Sequence, residues 1–459
     1  MNNLTLINPA TFAKISSIPF HSIEEAISIA KSSKIVQQEW KSSSIQERID
    51  LINNVKKYFE QNIASIAEDI TLQMGRPISH SINEVNGAIF RMDGLCEIAK
   101  SALKDIHLPE KEGFERYIKR ESLGVVLDIV AWNYPLLIAV NIVISAVLAG
   151  NSVLIKHSSM TPMCAVHFEK AFENAGASAG LVRALVLTHE TTEALINSEM
   201  IDYVSFTGSV SGGYKIQKTI SNLFINMGLE LGGKDPAYIR EDAELPKTIE
   251  NVMDGVFYNA GQSCCSVERI YVHSSLYEAF LIGAVNWMEN LIINDPLNSK
   301  TTMGPLAQKS GISFIENQLE DALSKNAKLH IYSGDIPKTG NFMRPVIVSN
   351  ANHYMDIMME ESFGPVVGIM SVNDDDEAIK LMNDSPYGLT ASIWTQNQEV
   401  ACEIADKINT GTIFMNRCDF LDPQLAWVGV KNSGKGASLS TIGIQQLTRP
   451  KSYHLKLTV

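Results

Sequence analysis

The sequence predicts an α/β protein in which a largely parallel sheet carries helices on both faces. From residue 124 onward, short buried strands alternate with helices: the strand GVVLDIV precedes a long apolar helix, and the strand NSVLIK precedes the helix PMCAVHFEKAFENAG. Two further strands, RALVLT and DYVSF, are each followed by residues with helical spacing. Strands and helices that alternate in this way form parallel sheets, which bind ligands at the carboxyl ends of their strands.

Composition and charge exclude several classes of protein. The length of 459 residues suggests about three structural units, and 45% hydrophobic with 19% charged residues is typical of a globular chain rather than a disordered or fibrous one. With 51 acidic and 38 basic side chains, the net charge is −13, which argues against nucleic-acid binding. The longest apolar stretch, Leu136 to Gly150, is too short to span a bilayer and indicates a buried helix, so no membrane partner is expected.

The remaining elements follow from the periodicity of apolar residues. Residues 22–103 carry helical spacing, and a second region of strands and helices spans 230–432 with the strands ERIYVH, PVVGIMSV, SIWT and GTIFMN. The segments RYIKRESLGVV and SYHLKLTV alternate polar and apolar residues, as exposed strands do. Because exposed strand edges are usually paired, we expect these two segments to form a small sheet that pairs with another subunit.

The cysteines and the N-terminus predict a cytoplasmic protein with reduced thiols. Six cysteines in a chain of this length do not form a disulfide framework, and one of them is a candidate nucleophile. The N-terminal residues MNNLTLINPATF show no basic segment followed by an apolar run, so we expect no signal peptide.

Three residues could together carry out nucleophilic catalysis. Cys264 lies in NAGQSCCSVERI, where its neighbour Cys265 is too close in sequence for an ordinary disulfide. Glu230 ends the predicted strand LFINMGLEL and is a candidate base, and Asn133 in AWNYP is a candidate oxyanion donor. Taken singly, each residue more often has a structural role, as a buried thiol, a solvated acid or a helix cap.

The segment FTGSVSGG, residues 206–213, is a candidate phosphate-binding turn. A strand ends there, Gly208 and Ser209 turn the chain, and a helix begins, which could hold a pyrophosphate at the helix N-terminus. The segment is not a G-x-G-x-x-G motif, so the common dinucleotide fingerprint is absent.

Six motifs in order resemble the aldehyde dehydrogenase superfamily over essentially the whole chain. They are AWNYP, LIKHSSMTP, FTGSVSGG, ELGGKDP, GQSCCSVER and EESFGPV, and the spacing of 34 residues from Glu230 to Cys264 is also that of the family. The resemblance implies a Rossmann-like cofactor domain at 1–229, interrupted by a hairpin at 104–123, and an α/β catalytic domain at 230–432. It also implies that the hairpin and the tail 437–459 form a small β oligomerisation element of a homodimer or homotetramer.

The resemblance further implies a mechanism and a cofactor site. Cys264 attacks the aldehyde, Asn133 and the backbone N–H of Cys264 hold the oxyanion, and Glu230 activates the water that releases the acid. No metal is implied. The implied cofactor-binding residues are Val130, Trp132, Lys156, Ser159, Gly208, Ser209, Glu361 and Phe363.

The choice between NAD and NADP stays open. Ser159 lies three residues after Lys156, where family members selective for NAD tend to carry Glu. A carboxylate there accepts a hydrogen bond from the ribose 2′-hydroxyl and repels a 2′-phosphate, so serine permits NADP without excluding NAD.

The substrate is the least determined feature. The implied tunnel is mostly apolar, which favours an apolar or small aliphatic aldehyde or a semialdehyde. Succinic semialdehyde enzymes of the family tend to carry Arg at the position of Asn141; Arg417 could replace it. The tunnel residues are Leu137, Ile138, Asn141, Leu421, Leu425 and Trp427.

Three alternatives to the main interpretation remain. They are a succinate-semialdehyde-type enzyme, a CoA-acylating dehydrogenase, which would generally lack the base Glu230, and a catalytically inactive structural homologue. The chain also departs from the family pattern at Ala131, at Asp235 and at Ser438, where many members carry a Glu linked to proton relay.

Overall fold

A computed structural model describes residues 3–457 and begins with a hairpin and four helices. The helical region predicted at 22–103 is confirmed, and the first two helices each begin with a capping box, formed by Ser22 with Glu25 and by Ser44 with Glu47. The elements are β1 (Asn3–Ile7), β2 (Lys14–Pro19), α1 (Ile23–Trp40), α2 (Ile45–Gln61), α3 (Ile63–Met74) and α4 (Ile78–Ala102).

The next elements build the first sheet, whose strands alternate with helices as predicted. They are β3 (Ile106–His107), β4 (Phe114–Ser122), β5 (Val125–Val130), α5 (Pro135–Leu148), β6 (Ser152–His157), α6 (Pro162–Asn174), β7 (Val182–Ala184), α7 (His189–Ile196), β8 (Tyr203–Thr207), α8 (Val210–Thr219) and β9 (Asn226–Glu230). The parallel strands lie in the order β9-β8-β5-β6-β7. From β5 the chain adds β6 and β7 on one side and then β8 and β9 on the other, so the strand order reverses between β5 and β8. Parallel sheets bind ligands outside the carboxyl ends of the strands at such a point.

A second, seven-stranded sheet follows. Its elements are β10 (Asp235–Ile239), α9 (Leu245–Phe257), β11 (Val267–His273), α10 (Tyr277–Met288), α11 (Lys309–Ser324), β12 (Lys328–Ile331), β13 (Val346–Ser349), α12 (Asp356–Met359), β14 (Val366–Val372), α13 (Asp375–Asn383), β15 (Tyr387–Gly388), β16 (Thr390–Trp394), α14 (Gln398–Ala405) and β17 (Thr412–Met415). The order is β12-β13-β14-β11-β10-β16-β17, and all neighbours are parallel except β12 and β13. A 3₁₀ turn, Tyr258–Gly261, connects α9 to the loop that carries Cys264.

The C-terminal segment returns to the first sheet. Its elements are β18 (Val430–Lys431), β19 (Gly434–Lys435), α15 (Ser440–Gln446) and β20 (Thr448–Lys456). Strand β19 pairs with β9 so that Gly434 lies opposite Glu230, and β20 pairs with β4 along nine residues, from Thr448↔Ser122 to Lys456↔Phe114. The two segments predicted as edge strands therefore pair with each other, and β3 completes a three-stranded sheet.

The predicted domain limits, 1–229, 230–432, 104–123 and 437–459, stay predictions, as does pairing of the small sheet with another subunit. Residues 1–2 and 458–459, at the ends of the predicted terminal segments, lie outside the described residues. Within residues 3–457, no helix combines the length and the apolar character that crossing a membrane requires.

One charged residue interrupts the core of the first sheet. Asp128 lies in the middle of β5, is 0% exposed, and faces Ser205 on β8 in the strand register. Neither of its carboxyl oxygens has a hydrogen-bond partner among the described residues. Burial raises the pKa of Asp128 well above its usual range, while Ser205 lowers this pKa and Glu230 raises it. The carboxyl group is therefore neutral in the folded protein under conditions in which the unfolded chain has lost the proton.

This burial predicts a pH-dependent cost to stability. A carboxyl group whose pKa is raised by folding favours the folded state below its unfolded pKa of about 3.9, and that contribution is lost as pH rises towards the folded pKa. Asp128→Asn removes the ionisation, so its free energy of unfolding should exceed that of the wild type by a margin that grows by up to about 1.4 kcal/mol per pH unit. Thermal unfolding at several pH values from 5 to 8 measures the margin. Asp335→Asn, at an exposed carboxylate, is the control and should show no such trend; a margin for Asp128→Asn that does not vary with pH would contradict the prediction.

Candidate active site

One cavity of about 410 Å³ brings together the three predicted catalytic residues. Asn133 follows β5, Glu230 ends β9, and Cys264 lies in the loop before β11, so each stands at or near the end of a strand. All three line the cavity, together with Thr207 at the end of β8. The fold therefore places a thiol, an amide and a carboxyl group around one cavity. Their catalytic roles remain predictions.

Cys264 is half-buried and has an open backbone N–H. No group among the described residues accepts a hydrogen bond from its N–H, which leaves that donor for an oxygen atom beside the sulfur. The loop fits only because Gly233 has no side chain: a Cβ there would lie 2.3 Å from the carbonyl oxygen of Cys264. The second glycine of the ELGG motif thus admits the backbone of the predicted nucleophile.

The side chain of Asn133 is held by the chain that precedes Cys264. Its Nδ2 donates to the backbone carbonyl of Gln262 at 3.2 Å, and the backbone carbonyl oxygen of Asn133 accepts from Asn259 Nδ2 at 3.2 Å and from Arg76. One of the two amide hydrogens of Asn133 is used in this way. The other has no partner among the described residues and is available to an oxygen atom in the cavity.

A buried ion pair fixes this arrangement. Arg76 pairs with Glu84, and both side chains are almost completely buried. Glu84 Oε1 accepts hydrogen bonds from the N–H groups of Leu136 at 2.8 Å and Leu137 at 3.1 Å, in the first turn of α5, and Arg76 stacks on the Tyr134 ring at 4.2 Å. The pair therefore anchors the loop that carries Asn133.

The sequence reasoning missed Arg76, Glu84 and Arg91. A signal for the last two was present: Glu84 and Arg91 lie on the buried face of α4, at the same helical spacing as Ala88 and Leu95. A charged residue on the apolar face of a helix either has a buried partner or lines a site.

Glu230 is a half-buried residue whose carboxyl group has no fixed partner. Burial raises its pKa, while Ser438 and Arg91 lower it. Its carboxyl oxygens accept no hydrogen bond from the described residues, although they line the cavity. A carboxyl group whose pKa is moved towards neutrality suits a general base. Ser438, noted as a departure from the family pattern, is the polar neighbour of this group.

The predicted nicotinamide side lies on the other face of the ELGG motif. Glu361 accepts from the N–H of Gly233 at 3.0 Å, and burial, with the nearby Glu268, raises the pKa of Glu361 to about 8. A Cβ at Gly232 would lie 2.2 Å from the carboxylate of Glu361, so a larger residue there would displace this side chain. Trp132 and Phe363 meet edge to face with ring centres 5.5 Å apart. Glu361 and Phe363, predicted for the nicotinamide side, therefore lie close to Trp132, a third predicted cofactor-binding residue.

A second buried ion pair fixes the motif that carries Glu361. Lys234 Nζ lies 2.6 Å from Glu268 Oε2 and donates to Ser362 Oγ at 3.0 Å. Glu268 also accepts from the N–H groups of Ser362 at 2.7 Å and Phe363 at 2.9 Å. Asp235, another departure from the family pattern, accepts from the N–H and the hydroxyl of Thr390, which explains its tolerance in the core.

The remaining predicted cofactor residues lie along the carboxyl ends of β5, β6 and β8. Val130 is the buried last residue of β5, Lys156 is in β6, and the exposed Ser159 is in the turn that follows. Gly208 follows β8, and Ser209 caps α8 by accepting from the N–H of Gly212. Lys156 is only 7% exposed, yet it donates to no group among the described residues, and burial lowers its pKa. A buried ammonium group with unused donors fits the hydroxyl or phosphate oxygens of a nucleotide.

The structure separates one predicted tunnel residue from the rest. Leu425 is 65% exposed and is not among the residues that line the cavity; its N–H donates to the carbonyl of Asp422 at 3.1 Å, which closes a turn. Asn141 Oδ1 accepts from Arg91 Nη1 at 3.0 Å. The predicted residues that do line the cavity are Leu137, Ile138, Asn141, Leu421 and Trp427.

Cys265 has a different environment from its neighbour. It is buried, and its thiol donates to Asp419 Oδ1 at 2.9 Å. Contact with the Cys264 side chain and burial, with Asp419 alongside, raise the pKa of Cys265 well above its usual range. A thiol held in this protonated state is a poor nucleophile. Across residues 3–457, no cluster of three or more His, Cys, Asp or Glu side chains could hold a metal ion.

Comparison with known proteins gives a consistent result. The profile of the aldehyde dehydrogenase family matches residues 2–453. Human aldehyde dehydrogenase 1A1 is 30% identical over 99% of this chain and 91% of its own length, and a succinate-semialdehyde dehydrogenase [NADP(+)] of Deinococcus radiodurans is 29% identical over 97% and 93%. The solved NAD+ complex of an aldehyde dehydrogenase from Bacillus cereus superposes with a TM-score of 0.95 at 26% identity, covering 100% of this chain and 94% of that one.

The difference between the two adjacent thiols is testable by alkylation. Near neutral pH, iodoacetamide should modify Cys264 faster than Cys265, because Cys265 is buried and protonated. Peptide mapping by mass spectrometry follows the peptide that contains both residues and separates it from the exposed Cys402. In that peptide, Cys265→Ala should be alkylated at the wild-type rate, and Cys264→Ala should lose the fast phase of labelling. Fast labelling of Cys265 in the Cys264→Ala protein would show that the two thiols have been assigned the wrong way round.

Proposed function

The chain belongs to the aldehyde dehydrogenase family, and we propose that it oxidises an aldehyde to its carboxylic acid through a covalent adduct on Cys264. It is an oxidoreductase that uses NAD or NADP. The observation that supports the proposed mechanism most strongly is that Cys264, Asn133 and Glu230 line one cavity.

In the first step, the thiolate of Cys264 attacks the carbonyl carbon of the aldehyde, and a carbon–sulfur bond forms. The carbonyl oxygen becomes an oxyanion between the free amide hydrogen of Asn133 and the backbone N–H of Cys264. Both donors are fixed before the substrate arrives, so they do not need to reorganise as the charge develops.

In the second step, the adduct loses a hydride and becomes a thioester. When bound, the nicotinamide of NAD or NADP accepts this hydride. Glu361 and Phe363 would hold the nicotinamide ribose and ring, and Lys156, Ser159 and Ser209 would hold the adenosine and phosphate side. The resemblance implies that Trp132 lies on the ribose and adenine side, but we assign it to the nicotinamide side because it packs edge to face against Phe363. Lys156 supports this arrangement because it is a buried cation without a partner among the described residues.

In the last step, Glu230 takes a proton from water, whose oxygen attacks the thioester carbon. The carbon–sulfur bond breaks, and the carboxylic acid and the Cys264 thiolate are released. The presence of this proposed base argues against a CoA-acylating enzyme, in which CoA rather than water accepts the acyl group. The joint presence of Cys264, Asn133 and Glu230 argues against an inactive homologue.

The proposal extends to substrate size, assembly and location. The cavity suits a small aldehyde, because much of its lining is apolar side chains such as Phe90, Leu137 and Ile138. The outer edge of β20 has no partner strand among the described residues, which supports a homodimer or homotetramer joined through the small sheet. All six cysteines are free, which supports a reducing, cytoplasmic location.

The role of Glu230 predicts a trapped intermediate. Because deacylation follows hydride transfer, Glu230→Gln with aldehyde and cofactor should give a burst of NADH or NADPH and then slow turnover. Rapid-mixing absorbance at 340 nm measures the burst, and intact-protein mass spectrometry should find one acyl group on Cys264. Cys264→Ala is the control and should show neither burst nor adduct. Full steady-state turnover by Glu230→Gln would remove this residue from the mechanism.

The side chain at 159 predicts the cofactor choice. Ser159 is exposed near the buried Lys156, with no carboxylate at its position to repel a 2′-phosphate, so wild type should use NADP as well as NAD. Ser159→Glu should shift selectivity towards NAD by about 1–3 kcal/mol, the size of a charge repulsion or a lost charge-assisted hydrogen bond. The ratio of kcat/KM for the two cofactors measures the shift. An unchanged ratio would mean that residue 159 does not face the ribose.

A further inference from the structure

Arg91 presents unused hydrogen-bond donors to the cavity. It is 7% exposed, and its Nη1 donates to the carbonyl of Leu137 at 2.7 Å and to Asn141 Oδ1 at 3.0 Å. Its Nε and Nη2 groups have no hydrogen-bond partner among the described residues, and they are not sealed from the cavity. These two nitrogens form one edge of the guanidinium, and this edge can bind both oxygens of a carboxylate at once.

The two other arginines of the cavity are already engaged. Arg76 is paired with Glu84 and stacks on Tyr134, and Arg417 stacks on the Phe420 ring at 3.4 Å. Arg91 differs from both because it has neither an ion-pair partner nor an aromatic partner among the described residues.

The acids near Arg91 do not satisfy this free edge. Glu84 is bound to Arg76 and to the first turn of α5, and Asp419 accepts from Cys265 and Ser263. Glu230 lies within electrostatic reach but makes no ion pair with Arg91. Burial lowers the pKa of Arg91 to about 10, so it still carries its charge at neutral pH. A buried charge without a hydrogen-bonded counter-ion is costly, and an anionic ligand would offset that cost.

We infer that Arg91 binds a carboxylate of the substrate, so that the preferred substrates are short aldehydes that carry a carboxylate at the other end. This inference rests on the proposed function, because it places the aldehyde carbon at Cys264. The apolar side chains of Leu137, Ile138 and Leu421 line the same cavity and would contact the methylene groups between the two ends. Asn141 and the carbonyl of Leu137 hold the guanidinium in place, so little side-chain entropy is lost when the carboxylate binds.

The test compares an acid with its neutral ester. Initial rates with 4-oxobutanoate and with methyl 4-oxobutanoate give kcat/KM for each, and 2-oxoacetate and 5-oxopentanoate give the preferred length. Wild type should prefer one of the acids over the ester by about 100-fold, as expected for a buried charge pair. Arg91→Gln should lower this acid-to-ester ratio about 100-fold, mainly through KM for the acid.

Three further variants test whether the guanidinium of Arg91 itself holds the carboxylate. Arg91→Lys keeps the charge but not the two-pronged edge, and it should retain only part of the preference. Asn141→Asp supplies a counter-ion while Arg91 remains in place, and it should lower the ratio about tenfold. Arg417→Gln is the matched control, because Arg417 is an arginine of the same cavity. Its acid-to-ester ratio should stay within about threefold of the wild-type ratio, whereas Arg91→Gln removes a buried charge pair and should lose the preference.

Several results would overturn the inference. Wild type that oxidises the ester as well as every acid shows no carboxylate site. Arg91→Gln that slows acid and ester equally and shifts the pH profile of kcat shows that Arg91 is only a counter-ion for Glu230. A loss of preference in Arg417→Gln alone assigns the carboxylate to the other arginine. If wild type oxidises neither the acids, nor the ester, nor unsubstituted aliphatic aldehydes such as butanal, the proposed function itself fails, whereas turnover of the ester or of those aldehydes alone contradicts only this inference.

Discussion

The geometry of the active site depends on the buried guanidinium of Arg76. It pairs with Glu84, which caps α5, and it donates to the carbonyl of Asn133 and to Asn259 Oδ1. It thereby joins the loop of the predicted oxyanion donor to the turn that precedes Cys264. In that turn Asn259 and Ala260 have φ of 54° and 55°, a region that costs energy for residues other than glycine. Removing one partner of a buried pair costs about 3–5 kcal/mol, enough to misplace both halves of the site.

The same principle organises the cofactor side. Lys234 and Glu268 come from the ELGGKDP and GQSCCSVER motifs, and together they hold the backbone of the EESFGPV motif. The two glycines of ELGG act as spacers, one for the carboxylate of Glu361 and the other for the backbone of Cys264. The motifs are separate in sequence because they belong to different strands. Buried ion pairs and close backbone contacts hold them together in the folded protein. Such contacts tolerate little change in side-chain size.

Around the reacting centre, burial adjusts the chemistry of neighbouring acids and thiols. Burial raises the pKa of Glu230, and the pKa of Cys265, beside Cys264 and Asp419, is raised so far that its thiol stays protonated. Ser438, a departure from the family pattern, is an uncharged neighbour of Glu230 and lowers its pKa. Arg91 faces the same space and lowers the pKa of Glu230. Among the groups that line the cavity are therefore the half-buried thiol of Cys264 and the carboxyl group of Glu230 with its raised pKa, the combination that nucleophilic attack followed by hydrolysis requires.

The sequence by itself determined the α/β class and most strands and helices, because these follow from local periodicity. Motifs of adjacent residues also singled out Cys264, Glu230 and Asn133 as candidates, and the structure places all three around one cavity. Only the tertiary structure decided which side chains share the cavity. Arg76, Glu84 and Arg91 act through contacts with residues that are distant in sequence, and Leu425 is not among the residues that line the cavity. The residues around Asp128 have the pattern of an ordinary strand, yet both faces of that strand are covered, so the neutral state of Asp128 is set by packing. Local sequence patterns determine the helices and strands. The protonation states and contacts of side chains depend on burial and on segments that are distant in sequence.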